Sequence, residues 1–149
     1  MLKSILAIIV SYIAMFVLFM AIFFGLYFAL GVDRVFQPDS YEISMLWIII
    51  TLVGAFLVTM FAGYLCAAIS QNWRTCQVFA LIVFLLALWQ CFQGMRRDSE
   101  GPNVRAGDVT YLEAIGHAVT PRWLHFVNPI VNGAGILLGA RLKRRGRAA

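Results

Sequence analysis

Residues 4–32 read SILAIIVSYIAMFVLFMAIFFGLYFALGV, with no Asp, Glu, Lys or Arg among them. A helix needs ~20 apolar residues to cross ~30 Å of hydrocarbon, so this stretch can span a bilayer and tilt or project beyond it. Secretory signal cores are far shorter, ~7–15 apolar residues, so the run reads as a retained first span. Three further runs without a charged residue follow at 43–73, 75–95 and 123–140. The last is the shortest, and its helix is expected to begin a turn earlier. Thr120 suits the N-cap, and Pro121 suits the first helical position, where its missing N–H costs nothing.

The composition points the same way. Hydrophobic residues make up 62% of the 149-residue chain and charged residues 13%, about half the charged share of a soluble domain. A chain this small cannot bury that much apolar surface in its own core, so lipid must act as solvent. The expected architecture is all-α: one integral membrane domain over 1–149, a four-helix bundle with spans at about 4–32, 43–70, 75–95 and 121–141. A third loop covers 96–120, and a basic tail covers 141–149.

With four spans, both termini and the second loop share one side, which carries Lys3, Arg74, Arg141, Lys143, Arg144, Arg145 and Arg147 and no acid. Arg34, Arg96, Arg97, Arg105 and Arg122 lie on the other side with all seven Asp and Glu. Enrichment in Lys and Arg marks the cytoplasmic face, so both termini are expected there. Trp47, Trp89 and Trp123 then fall near the outer interface and Trp73 near the inner one. The basic tail reads first as an anchor that fixes the last helix, with attraction to anionic lipid as the second reading. Nucleic-acid binding has no support in the pattern.

Helices in lipid associate through close packing of small residues and a few hydrogen bonds. The first span carries Ser4, Ala7, Ser11, Ala14, Ala21 and Gly25 at heptad-like spacing. In the second, Thr51, Ala55, Thr59, Gly63 and Ala67 recur every four residues, a stripe that favours close approach. The fourth contributes Gly135 and Gly139. These positions are the expected packing seams, formed within the chain or, as the alternative, between chains. The third span lacks such a seam, having only Ala80 and Ala87 between Val78 and Leu88, and is expected to be the most lipid-exposed. Cys66, Cys76 and Cys91 read as small apolar packing residues, with no disulfide.

Asn128, Pro129 and Asn132 are the sharpest polar feature inside a span. Pro129 frees a backbone carbonyl one turn back, near His125. Two asparagines four apart share a helix face, and the first expectation is that they bond freed backbone or a neighbouring helix. The alternative is a polar site comprising Asn128, Asn132 and His125. Gln90 and Gln93 are expected to face headgroups or Asn128. In the third loop, Thr110-Tyr111-Leu112-Glu113 is a capping-box pattern, and Val109, Leu112, Ile115 and Val119 follow at near-helical spacing. A short amphipathic helix on the outer membrane surface is expected. Glu113 and His117 form one weak pair. Nothing in the spacing pairs a nucleophile with a base, a metal with its ligands or a phosphate with a glycine loop, so no catalytic, cofactor or metal residue is assigned.

The stretch Ala62-Gly63-Tyr64-Leu65-Cys66-Ala67-Ala68-Ile69, the opening Pro121-Arg122-Trp123 and the closing Leu137-Leu138-Gly139-Ala140-Arg141-Leu142 together resemble a family of small, uncharacterised bacterial inner-membrane proteins with four spans. The chain departs from that family at Ala62 and Ala140, where glycine is usual, and at Ala68, where arginine is frequent. The resemblance implies a bacterial plasma-membrane location and carries no activity.

A charge near the bilayer centre is costly and is kept mainly for tasks such as ion coupling. Its absence from all four runs argues against a charge-coupled transporter. The leading expectation is a non-catalytic accessory, assembly or scaffold subunit whose partners are the lipid bilayer and another integral membrane protein, or a second copy of itself. An uncharged-solute transporter or channel lined by Thr51, Thr59, Asn128 and Asn132 comes second. A lipid-modifying enzyme with an outer-face site comes third.

Overall fold

The computed structural model describes residues 2–98 and 111–145. Glu100, Arg105, Asp108, the capping Thr110 and Arg147 lie outside the described residues. The chain runs through α1 (Leu2–Leu30), α2 (Val32–Val35), α3 (Met45–Ser70), α4 (Trp73–Asp98), α5 (Tyr111–Gly116) and α6 (Arg122–Arg145). Local chemistry sets the breaks. Gly31, at φ 77° and ψ 164°, takes an extended positive-φ conformation that glycine adopts without strain, which stops α1, and its N–H donates to Tyr27 O. Ser44 caps α3 by accepting from the Trp47 N–H at 3.2 Å. Gln71 ends that helix at φ 54°, and Asn72 Oδ1 accepts the Arg74 N–H at the start of α4.

Successive long helices run antiparallel, so α3 and α6 are parallel to each other, as are α1 and α4. Thr75 Oγ1 donates to Ser4 Oγ at 3.1 Å, and Lys143 Nζ donates to Tyr64 Oη at 3.4 Å. The start of α1, the α3–α4 turn and the end of α6 therefore share one end, here the basic end. The short helices and the segments 36–44 and 117–121 make up the opposite, loop end.

Among the described residues three helices are long and apolar enough to cross a membrane: α1, α3 and α4. The fourth long helix, α6, matches them in length but carries His125, Asn128, Pro129 and Asn132. It packs extensively on α3 and then on α4, while Phe126, Ile130 and Leu138 stay exposed on its outer side. Glycines set the closeness of the α3–α6 contact. A Cβ at Gly63 would collide with the Ile136 carbonyl, one at Gly139 with the Met60 carbonyl, and one at Gly135 with the Thr59 hydroxyl. Bare backbone on each helix thus faces backbone on the other.

The expectation that the third span is the most lipid-exposed is overturned. In its apolar window α4 is 33% buried against 11% for α1. Phe79 is wholly buried, and Cys76, Ala80, Val83 and Cys91 are buried with it. Large side chains fill what small-residue helices leave open, so α4 needs no seam of its own. On α1, Ala7 and Ser11 are buried and Ala14 is half-buried, but Ala21 and Gly25 are exposed. The small-residue pattern of that helix therefore meets protein only toward the basic end.

The loop end is more structured than its sequence suggests. Phe36 pairs antiparallel with Ile43, and Glu42 pairs parallel with Val119. Ile43 N–H donates to Val119 O, and Val119 N–H to Tyr41 O. Val119 therefore belongs to this pairing and not to the short helix, which ends at Gly116. Ala114 of that helix is fully buried with Tyr27, Val35, Phe36, Ile43, Ile48 and Leu124, so α5 caps the bundle instead of simply lying on the membrane. A second buried cluster sits at the basic end, built from Ala7, Ala62, Cys66, Cys76, Phe79, Ile136 and Ala140 among others. Each end of the bundle thus has its own apolar cluster.

Candidate functional site

Between the two apolar clusters the four long helices part. One cavity of about 410 Å³ is lined by Phe19, Phe23, Trp47, Thr51, Ala55, Gln90, Leu124, His125, Asn128 and Asn132, with Ile43, Ala118 and Thr120 of the capping segments beside them. A second, of about 230 Å³, continues toward the basic end between Tyr12, Met15, Phe16 and Met20 of α1 and Val83, Leu86 and Ala87 of α4, with Thr59 and Asn132 behind. The two share Phe19, Ala87, Gln90 and Asn132 and form one chamber. Its size is within the ~300–1,000 Å³ of small-molecule sites.

One wall is aromatic. Phe19 stacks on Phe23 with ring centroids 4.0 Å apart, and Phe23 and Tyr27 each meet the Trp47 ring edge-on at 6.1 Å. The other wall is polar and uncharged. Thr59 Oγ1 donates back to Ala55 O at 2.8 Å and Thr51 Oγ1 to Ile48 O at 2.9 Å, so both hydroxyls spend their protons on their own helix and offer acceptor lone pairs. The primary amides differ. Among the described residues, the side chains of Gln90, Asn128 and Asn132 make no hydrogen bond, and all three line the chamber. The expectation that the asparagines bond freed backbone or a neighbouring helix is therefore not met: Pro129 is buried while both amides turn to open space. Asn132 lies ten residues along α6 from Arg122, about 15 Å at a rise of ~1.5 Å per residue, near the middle of the helix. An unpaired amide at that point of a membrane span is costly.

The other sequence-singled residues sit as follows. Ala55, Thr59, Gly63 and Ala67 are buried and Thr51 is half-buried on α3, with Gly135 and Gly139 buried opposite. His125 is half-buried against α4, where a Cβ on Gly94 would come within 2.6 Å of its ring. His117 lies elsewhere, its ring 5.3 Å from that of Tyr41, and Glu113 is exposed. These two do not reach the chamber, and Gln93 is exposed outside it. Among the described residues no group of three or more His, Cys, Asp or Glu is placed to hold a metal ion. The aromatic wall escaped the sequence reading, although Phe19 and Phe23, one helical turn apart, carried a signal for it.

The mouth of the chamber is between α1 and α4, which touch each other sparsely. Tyr12, Phe16 and Leu86 at its rim are exposed on the flank of the bundle, the surface that lipid would cover. No protein-family model, curated protein or solved structure matches the chain.

Proposed function

We propose that the protein is a four-pass membrane protein, with both termini cytoplasmic in a bacterial plasma membrane, that binds a neutral amphipathic molecule in the chamber between α1 and α4. The amides of Asn128 and Asn132, which among the described residues make no hydrogen bond, carry this reading, with the exposed Gln90 beside them. Each amide offers two donors and a carbonyl acceptor, so the complementary ligand has carbonyl, hydroxyl or amide groups at its polar end. The aromatic wall suits a flat or branched apolar body. The lining contains no Asp, Glu, Lys or Arg, which favours an uncharged ligand over an ion. The rim between α1 and α4 favours entry from the bilayer.

The alternative of an accessory subunit draws less support from the packing. The small-residue stripes of α3 and α6 face each other inside the bundle, which leaves the uncovered length of α1 as the surface for a partner helix.

The test is native mass spectrometry of the protein extracted in lipid nanodiscs, beside the variants Asn128→Leu and Asn132→Leu. A bound neutral molecule in the wild type, depleted in both variants at unchanged helical content, is the expected result. A wild type with no adduct, or an adduct indifferent to both substitutions, would sink the proposal.

A further inference from the structure

The basic end holds a second feature, independent of the chamber. Lys3, Arg74, Arg141, Lys143, Arg144 and Arg145 gather there, whereas the described acids Asp33, Asp39, Glu42 and Glu113 sit at the loop end. Among the described residues no carboxylate at the basic end can serve as counter-ion.

Two of these cations are held in defined places. Lys143 Nζ is 5.1 Å from the centre of the Tyr64 ring, and Arg144 Cζ is 5.2 Å from that of Trp73. The ring contact of Arg144 uses none of its N–H donors, whereas Lys143 also gives one N–H to Tyr64 Oη and keeps two. Between them lies a small pocket lined by Ala67, Gln71, Asn72, Trp73, Cys76, Lys143 and Arg144. Asn72 Oδ1 already accepts the Arg74 N–H at 3.0 Å, so the amide nitrogen is the hydrogen-bonding atom Asn72 has left. The lining therefore presents one ammonium, one guanidinium and two side-chain amides, with no acid among them. Tyr64 and Trp73 beside it are the residue types that settle at the membrane–water interface.

We infer that the depression between the α3–α4 turn and the end of α6, of about 20 Å³ and so able to seat one oxygen, holds a phosphate group at its mouth, and that the headgroup of an anionic phospholipid supplies it. A guanidinium paired with an ammonium recognises phosphate oxygens through charge-assisted hydrogen bonds, and the location brings the pocket level with the headgroups. This site differs from diffuse attraction of a basic tail, because Lys143 and Arg144 do the binding and Arg141 and Arg145 do not.

The experiment places the full-length protein in phosphatidylcholine nanodiscs doped with phosphatidylglycerol and counts retained anionic lipid by native mass spectrometry. The double variant Lys143→Gln/Arg144→Gln is expected to lose about tenfold more retention than Arg141→Gln/Arg145→Gln, which removes equal charge and so shares the diffuse loss that follows any cation removed near the surface. Equal losses in the two would overturn the discrete site in favour of smeared charge. Tyr64→Leu, an exposed position that leaves the net charge intact, is expected to weaken retention, and no change there would remove the ring-held geometry. Inorganic phosphate in millimolar excess is expected to leave the lipid in place; its displacement would overturn the lipid assignment and give the pocket to a soluble phosphate. Failure of the chamber ligand to appear has no bearing on any of these readings.

Discussion

Gly139 has no room for a methyl group, because a Cβ there would run into the backbone of Met60 and Tyr64 on α3. The obstacle is main chain, which cannot swing aside as a side chain would. Gly139→Ala is therefore expected to cost toward the upper end of the ~1–3 kcal/mol typical of overpacking, read as a lowered midpoint of unfolding in detergent. Gly25→Ala is the control: nothing lies within 4 Å of a Cβ there, and the midpoint should hold or rise slightly through helix propensity. The chamber amides make the opposite prediction. Asn132→Leu removes an amide that makes no hydrogen bond among the described residues, so stability should be unchanged or raised by about 1 kcal/mol while ligand is lost. A marked fall in stability would show that the amide serves the fold instead. At this scale the sequence was readable for Gly63, Gly135 and Gly139, since repeated small residues in lipid have few other uses. It was less readable for Asn128 and Asn132. Spacing puts them on one face but cannot say whether that face meets backbone or a void.

Among the elements, α6 is the one whose environment must be supplied by others. Its polar residues would face lipid if it stood alone, whereas α1, α3 and α4 satisfy the length and apolarity of a span by themselves. In a membrane-insertion assay on isolated segments, α1, α3 and α4 are expected to insert efficiently and α6 to lag. Restoring α3 and α4 ahead of α6 should rescue it, and rescue should fail with Gly63→Leu, which keeps α6 off its host. Full insertion of lone α6 would contradict this dependence. The helices themselves were legible from the uncharged runs, whereas the caps at Gly31, Ser44 and Gln71 came from the structure. The rank order of exposure was not, because α4 packs through Phe79 and Val83, large residues that look the same in a core as against lipid. The pairing of Phe36 with Ile43 and of Glu42 with Val119 was equally hidden, as it joins segments far apart in the chain and has no periodic pattern.

For the molecule as a whole, four crossings put the first and last residues on the same face, and three would put them on opposite faces. Cysteines introduced at Lys3 and Arg145 of a chain cleared of its native thiols are expected to be labelled together from the cytoplasmic side. One introduced at Asp39 should be labelled from the other side. Labelling of Lys3 and Arg145 positions from opposite sides would remove the four-pass reading and the inner placement of the phosphate pocket with it. The two apolar clusters and the hollow between them give the bundle its division of labour. Gly63, Gly135 and Gly139 lock α3 and α6 into a fixed wall, while α1 is held mainly at its two ends and α4 leans on α6.

The sparse contact between α1 and α4 has a consequence for how occupancy is set. A ligand leaving through that flank escapes into hydrocarbon, so the phase it competes with is the bilayer and not the buffer. Its affinity is then a partition ratio, governed by moles of ligand per mole of lipid. Diluting a membrane suspension with buffer should leave the chamber filled, whereas adding empty vesicles or detergent micelles at constant volume should drain it.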